Sequence, residues 1–367
     1  VSKPLKTTLS IILIIVFLGS TVGFILTISA SGGDEPVEAT LQVTLYPTEE
    51  IFTCAYKSYG DDQTDLYAAK TIIKNTGDTA VEDFRISYKI DGYCDWTSTE
   101  IYPQIVPGQT VRDYCFPNFD SGEMQEISTK TPAELTMKYE YDGIDQPVED
   151  TEKIYLLGKN DFVFTSLQEE DIFTFTDATD NYPILAAFVT PNEELTKSTA
   201  NELAGGLETG MNDEDVYQAF LRCFDYLRAA GVKYIQEPAT YWTERFAQYV
   251  QYPHETISRK SGTCLDLAIC VAALMEAVGI KSYVVLIPGH AIPMIELPNS
   301  GEWYGIESTF IDQEYAFSHF PDWVTPEVTA SECVTIAAPS INDNMAEGTI
   351  ILVDLESEWA KGVIPSW

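Results

Sequence analysis

Residues 261–307 read as one capped apolar helix followed by three short strands, and no other stretch of this chain restricts its fold so much. The run SGTCLDLAICVAALMEAVGI starts at Ser261. Ser261 and Thr263 are good caps, Gly262 permits a tight turn, and Gly279 ends the apolar pattern after Val278. Strand-like segments follow at Lys281–Ile287, Ala291–Leu297 and Trp303–Glu307. Upstream, Asn212–Gly231 has a polar opening and apolar residues at Val216, Phe220, Cys223, Phe224 and Leu227, the spacing of a helix. A second, shorter helix is expected in YWTERFAQYV, from Tyr241. Beyond the third strand, GTIILVDLE returns to β around Gly348–Leu355. Helices followed by an antiparallel sheet describe an α+β domain.

Three residues in this frame bear chemistry. A cysteine at the head of an apolar helix is ordinarily packing. Cys264, however, falls in the first helical turn, where unpaired amides and the positive end of the helix dipole would stabilise a thiolate and lower its pKa from ~8.5. Cys270, six residues on, lies well inside the helix and reads as core. His290 follows the Pro288–Gly289 turn and opens the next strand, placed to take the thiol proton and return one to a leaving group. Glu307 closes the apolar stretch that begins at Trp303, and can hold the second ring nitrogen of His290. The expected geometry puts the Cys264 sulfur about 3–4.5 Å from one ring nitrogen and a Glu307 oxygen about 2.6–3.2 Å from the other. Asp312 is the reserve acid. Asp266 is expected to be a cap or loop tether.

The chain carries 57 acidic against 21 basic residues among 367, a formal net charge of -36. A surface of that sign repels nucleic acid and excludes it as a main partner. Aromatic residues make up 12% of the chain, so the charge belongs to folded surfaces and not to an extended acidic tail. Lys3 and Lys6 precede an apolar run from Leu9 to Ile28, long enough to cross a bilayer of about 30 Å at 1.5 Å per residue. A transmembrane helix over 7–29 is therefore expected, as an uncleaved anchor in preference to a cleaved signal. It would place the chain in the cell membrane as a single-pass protein with its bulk extracellular.

Seven cysteines suit such a location, since six remain once Cys264 is set aside as a thiol. Cys94 and Cys115, both in turn-flanked β segments, are the first candidate disulfide; buried unpaired thiols are the alternative. With three histidines and no paired CxxC, no metal site is expected. The acidic residues around Glu169–Asp171 lack the spacing of a calcium loop and read as a solvated face.

The remaining organisation follows from punctuation. Residues 30–39 are a polar linker. From 40 to 157, strand-like runs alternate with Asn-Thr-Gly, Asp-Gly and Pro-Gly turns without a long helix, the pattern of a β-sandwich. Residues 158–210 read as a connector packing on a catalytic domain at 211–367.

Two resemblances add to this. KTIIKNTGDTAVEDFRISYKI, with IVPGQTV, resembles immunoglobulin-like modules that adjoin catalytic domains; it implies a spacer and no ligand. GTCLDLAICVAALMEAVGIKSYVVLIPGHA, followed by W-x-x-x-E-S-T, resembles the transglutaminase-like superfamily of papain-like thiol enzymes, over roughly 235–312. The resemblance implies that Cys264 is the nucleophile, His290 the base and Glu307 the orienting acid. It puts Trp303 and Thr309 at positions that pack near the site. It also implies an oxyanion donor upstream of the cysteine, for which Gln251, Tyr252 and Trp242 are the candidates. Glu307 stands where aspartate is commoner, and Ile292 replaces a tryptophan two residues after the histidine.

These readings predict a membrane-anchored extracellular cysteine enzyme that forms an acyl-thioenzyme from peptide or amide substrates at the cell surface. Hydrolysis, as a protease or amidase, is preferred over crosslinking, and no cofactor is needed. The alternative is a catalytically silent surface protein that uses the domain as a scaffold.

Overall fold

A computed structural model describes residues 40–60, 64, 66–203, 211–236 and 247–367. The first unit contains β1 (Leu41–Pro47), β2 (Glu50–Ile51), β3 (Ala69–Asn75), β4 (Val81–Ile90), β5 (Glu100–Ile105) and β6 (Thr110–Cys115). A one-and-a-half-turn helix α1 (Ser121–Glu126) then precedes β7 (Thr131–Glu140) and β8 (Val148–Leu156). Strand character comes from alternation: along β3, Ala69, Thr71, Ile73 and Asn75 are buried while their neighbours are not. The strands form a three-stranded sheet, β1-β3-β6, and a five-stranded sheet, β2-β8-β7-β4-β5. The two sheets meet through polar as well as apolar contacts. Tyr88 of β4 and Tyr102 of β5 both donate their hydroxyls to the Asp113 carboxylate of β6, each at 2.7 Å.

The second unit begins with β9 (Asp161–Val163), α2 (Glu194–Leu203), α3 (Asp213–Ala229), β10 (Lys233–Tyr234), β11 (Ala247–Tyr249), α4 (Pro253–Arg259) and β12 (Ser261–Gly262). It continues with α5 (Cys264–Glu276), β13 (Ser282–Ile287), β14 (His290–Glu296), β15 (Trp303–Gly305), α6 (Gln313–His319), α7 (Ala330–Glu347), β16 (Ile351–Asp354) and α8 (Leu355–Ala360). Its main sheet is antiparallel, in the order β15-β14-β13-β16. Helix α5 lies at the centre, with eleven of its thirteen residues buried, which accounts for its nearly continuous apolar sequence. One side (Leu265, Ala268, Ile269, Ala272) joins a core that runs on into the β-sheet unit. The other side (Leu267, Cys270, Val271, Leu274) packs against Phe220 and Phe224 of α3 and Cys333 of α7.

The C-terminal segment returns to the first unit. Ile364 N–H donates to the Ser58 hydroxyl at 2.8 Å, and the Ser366 hydroxyl donates to the carbonyl of Cys54. The Trp359 indole N–H meets the Ala186 carbonyl at 3.0 Å.

Several expectations are corrected here. The described chain is α+β, and no helix among the described residues is long and apolar enough to cross a membrane. The most apolar, α5, rises about 20 Å where about 30 Å is needed, and α3 and α7 carry charged faces. The expected span at 7–29 and the linker at 30–39 lie outside the described residues. The membrane anchor, the membrane as partner and the single-pass placement with an extracellular bulk are therefore withdrawn. All seven cysteines are thiols, so Cys94 and Cys115 form no disulfide; the Cys94 thiol meets the Asp95 carbonyl at 3.0 Å. The helix expected from Tyr241 is overturned at its end, where Ala247–Tyr249 pairs as a strand with β9. Helix α7 was not anticipated from sequence, because Pro339 interrupts its pattern.

Candidate active site

Cys264 is the first residue of α5, and the cap beneath it is unusually well tied. The Thr263 side chain accepts from Asp266 N–H at 3.3 Å, while the Asp266 carboxylate accepts from Thr263 N–H at 2.9 Å. The same carboxylate accepts from Gln251 twice, through the backbone at 2.7 Å and the side-chain amide at 2.9 Å. Burial pushes the Asp266 carboxyl up, and these donors work against that push. Gly262 allows the close approach: a Cβ there would stand 2.8 Å from Asp266 Cβ. The cap leaves the Cys264 thiol part-exposed at the mouth of the helix, with a backbone N–H that has no acceptor within the helix.

His290 is set by the hairpin of β13 and β14, where Ile287 pairs with His290 across Pro288–Gly289. Gly289 takes a φ of 73° there, a left-handed conformation that side chains resist. Glu307 follows β15 and is anchored from three sides. Its N–H donates to the Cys333 carbonyl of α7 at 3.1 Å, and one carboxylate oxygen accepts from the Thr309 hydroxyl at 2.6 Å and the Thr309 N–H at 3.1 Å. The other carboxylate oxygen meets His290 Nε2 at 2.9 Å. Nearby, Arg228 of α3 donates to the Phe310 and Val328 carbonyls at 3.1 and 2.8 Å, and so holds the turn that carries Glu307.

Burial alone would favour neutral His290. The charge of Glu307, a hydrogen bond with Cys264 and the bond to Glu307 outweigh it, raising the imidazole to about 10. Glu307 shows the mirror image: burial pushes it up, but His290 and Thr309 carry it below the ordinary carboxylate value. Since Nε2 is taken by Glu307, Nδ1 is the nitrogen left for the thiol. The three residues read from sequence thus converge.

Others do not. Both side-chain amide hydrogens of Gln251 are engaged, by Asp266 and by the Ser261 carbonyl at 3.1 Å, so it is not free to donate to a reacting oxygen. Tyr252 is buried, with its hydroxyl on the Lys159 carbonyl at 3.1 Å. Trp242 lies outside the described residues. Trp303 pairs with Glu296, at the opposite end of β14 from His290. At ~3.4 Å per residue that is some 20 Å from the ring, so it does not pack near the site. Asp312 accepts from Lys233 Nζ at 2.9 Å and caps α6, leaving Glu307 as the acid on His290.

Sequence reasoning missed two tyrosines. Tyr234 pairs with Gly262, two residues before Cys264, in the parallel match of β10 and β12. Its ring lies 4.6 Å from that of Tyr315 on α6. Burial raises the Tyr315 phenol, and the charges of Glu307 and Cys264 add to that rise. No local signal marks either residue, because a parallel two-residue pairing and a helix beyond the acid bring them together in space. Among the described residues no group of histidine, cysteine and acids could hold a metal ion.

No curated protein matches the chain. A family described as a transglutaminase-like domain matches residues 179–334, a span that holds Cys264, His290 and Glu307. It reaches back from the helical region into the segment read from sequence as a connector, and it stops short of the first β unit. The chain therefore carries a transglutaminase-like domain over residues 179–334.

Proposed function

We propose that this domain is a cysteine acyl-transfer enzyme in which Cys264 is the nucleophile, His290 the acid-base residue and Glu307 the acid that orients it. The observation that carries the reading is the His290 Nε2–Glu307 contact at 2.9 Å on a ring that also bonds Cys264. In the first step the Cys264 sulfur adds to a carboxamide or peptide carbonyl carbon. The C–N bond breaks as the imidazolium gives its proton to the leaving nitrogen, and a thioester remains. The orphan N–H of Cys264 is the first donor to the oxyanion. Water then adds, its proton passing to His290, and the C–S bond breaks to release a carboxylic acid. An amine in place of water would give transamidation. Cys264 and His290 are both part-exposed, which admits water and supports the hydrolytic branch, a protease or amidase.

The test uses p-nitrophenyl acetate as a generic acyl donor, followed by mass spectrometry. A burst of nitrophenol with an acetyl group on Cys264 is expected, lost in Cys264→Ala and slowed at least about a hundredfold in His290→Gln. Glutamine-containing peptides, assayed for ammonia with and without added amine, separate hydrolysis from transamidation. A thiol that acetylates no faster than free cysteine, and equally in His290→Gln, would sink the enzyme reading and leave a silent scaffold.

A further inference from the structure

A large cavity shares no residue with the Cys264 site. It is a groove of about 1300 Å³ in the β-sheet unit, lined on one side by β5 and on the other by β6. These are the terminal strands of their respective sheets: β5 pairs with β4 alone, and β6 with β3 alone. The groove is thus the unclosed side of the two-sheet stack, and each edge offers unpaired backbone N–H and C=O groups. Its walls are aromatic and acidic. Trp96 and Tyr114 stand more than a third exposed on the rim, with Asp95 and Glu100 beside them, and Asp113 lies at the floor under Tyr102. Among the described residues Arg112 is the one cation in the lining.

We propose that this groove binds an extended peptide bearing lysine or arginine, added as a strand to the open edges with its cationic side chains over the aromatic rings. Three observations select that occupant. Edge strands with free ladders take up extended backbone, and alternate side chains then fall into the flanking walls. The Trp96 ring takes up ammonium groups, those of the chain's own Lys138 and Lys89 lying with Nζ 4.0 and 5.4 Å from its centre, and an incoming lysine would exchange with them. The lining carboxylates, on a chain of net charge -36, supply the complementary field. Asp113 adds to this. Both its oxygens accept a tyrosine hydroxyl, yet burial still pushes its carboxyl up. A cation entering the groove would favour its charged form.

The experiment uses the full chain with Cys264→Ala, so that turnover cannot confuse binding, and isothermal titration calorimetry at 0.05 M salt. Probes are an eight-residue peptide alternating lysine and threonine, its lysine→glutamine counterpart, its backbone N-methylated counterpart and a neutral hexasaccharide. The lysine peptide is expected to bind, about tenfold or more weaker for the glutamine and N-methylated forms. It should also weaken about tenfold in Trp96→Ala and in Glu100→Gln, both exposed positions whose folding circular dichroism can verify. Equal binding of the lysine and glutamine peptides, unaltered affinity in both variants, preference for the hexasaccharide, or no binding would each overturn the proposal. Because the variants lie outside the Cys264 site, these outcomes are independent of whether that site is an enzyme.

Discussion

At the scale of single residues, the Glu307–His290 pair ties stability to pH. Folding raises His290 from its ordinary 6.5 to about 10, so the folded state keeps a proton that the unfolded chain loses between those values. Its contribution is complete below 6.5 and fades as pH climbs toward 10. Glu307 is lowered from 4.5, so its share is present above 4.5 and lost as acid protonates it in the folded state. Glu307→Gln should therefore cost most between pH 4.5 and 6.5, about 2 kcal/mol for a charge-assisted bond, and far less near pH 10. Thermal unfolding of both proteins across that range measures it. A penalty that stays flat with pH would mean the pair is not charged as described. Burst acylation by Glu307→Gln should fall about tenfold or more, with the largest loss where the imidazolium matters.

At the scale of elements, the cap of α5 is the joint on which the site depends. Asp266→Ala would strip acceptors from the N–H groups of Thr263 and Gln251 at once. At about 1–3 kcal/mol for each buried donor left unpaired, a loss of about 3 kcal/mol is expected in denaturant titration. Gly262→Ala should cost about 1–3 kcal/mol through the 2.8 Å approach to Asp266. A smaller loss in either would show that the cap relaxes freely. Much of this joint was legible. Caps, apolar periodicity and turn glycines are local signals, and they gave α3, α5, the β13–β14 hairpin and the convergence of Cys264, His290 and Glu307. What failed was long-range. The partners that occupy Gln251, the register that carries Trp303 away from His290, and the approach of Tyr234 and Tyr315 all arise from pairing between distant segments. Helix α7 was hidden for another reason: its buried residues are few, and Pro339 sits among them.

At the scale of the molecule, the two units share one continuous core, with Ile51, Phe84 and Leu135 in the same cluster as Leu265, Val284 and Val353. They should unfold together, and calorimetry should give a single transition; two resolved transitions would contradict the shared core. Self-repulsion at a net charge of -36 opposes that folded state. Raising salt from about 0.05 to 1 M should lift the midpoint by about 5 °C or more, and a midpoint that does not move would show that ion pairing already offsets the repulsion. The return of residues 364–366 to Cys54 and Ser58 also sets a timetable. Contacts separated by 306 to 312 positions close the longest loop among the described residues, and such contacts form late. During synthesis the β-sheet unit emerges first and must wait, its Cys54–Ser58 turn uncovered, until residues 364–366 leave the ribosome. In refolding, the fluorescence of Trp367, whose ring packs against His254 at 5.5 Å, should lag behind the recovery of sheet signal.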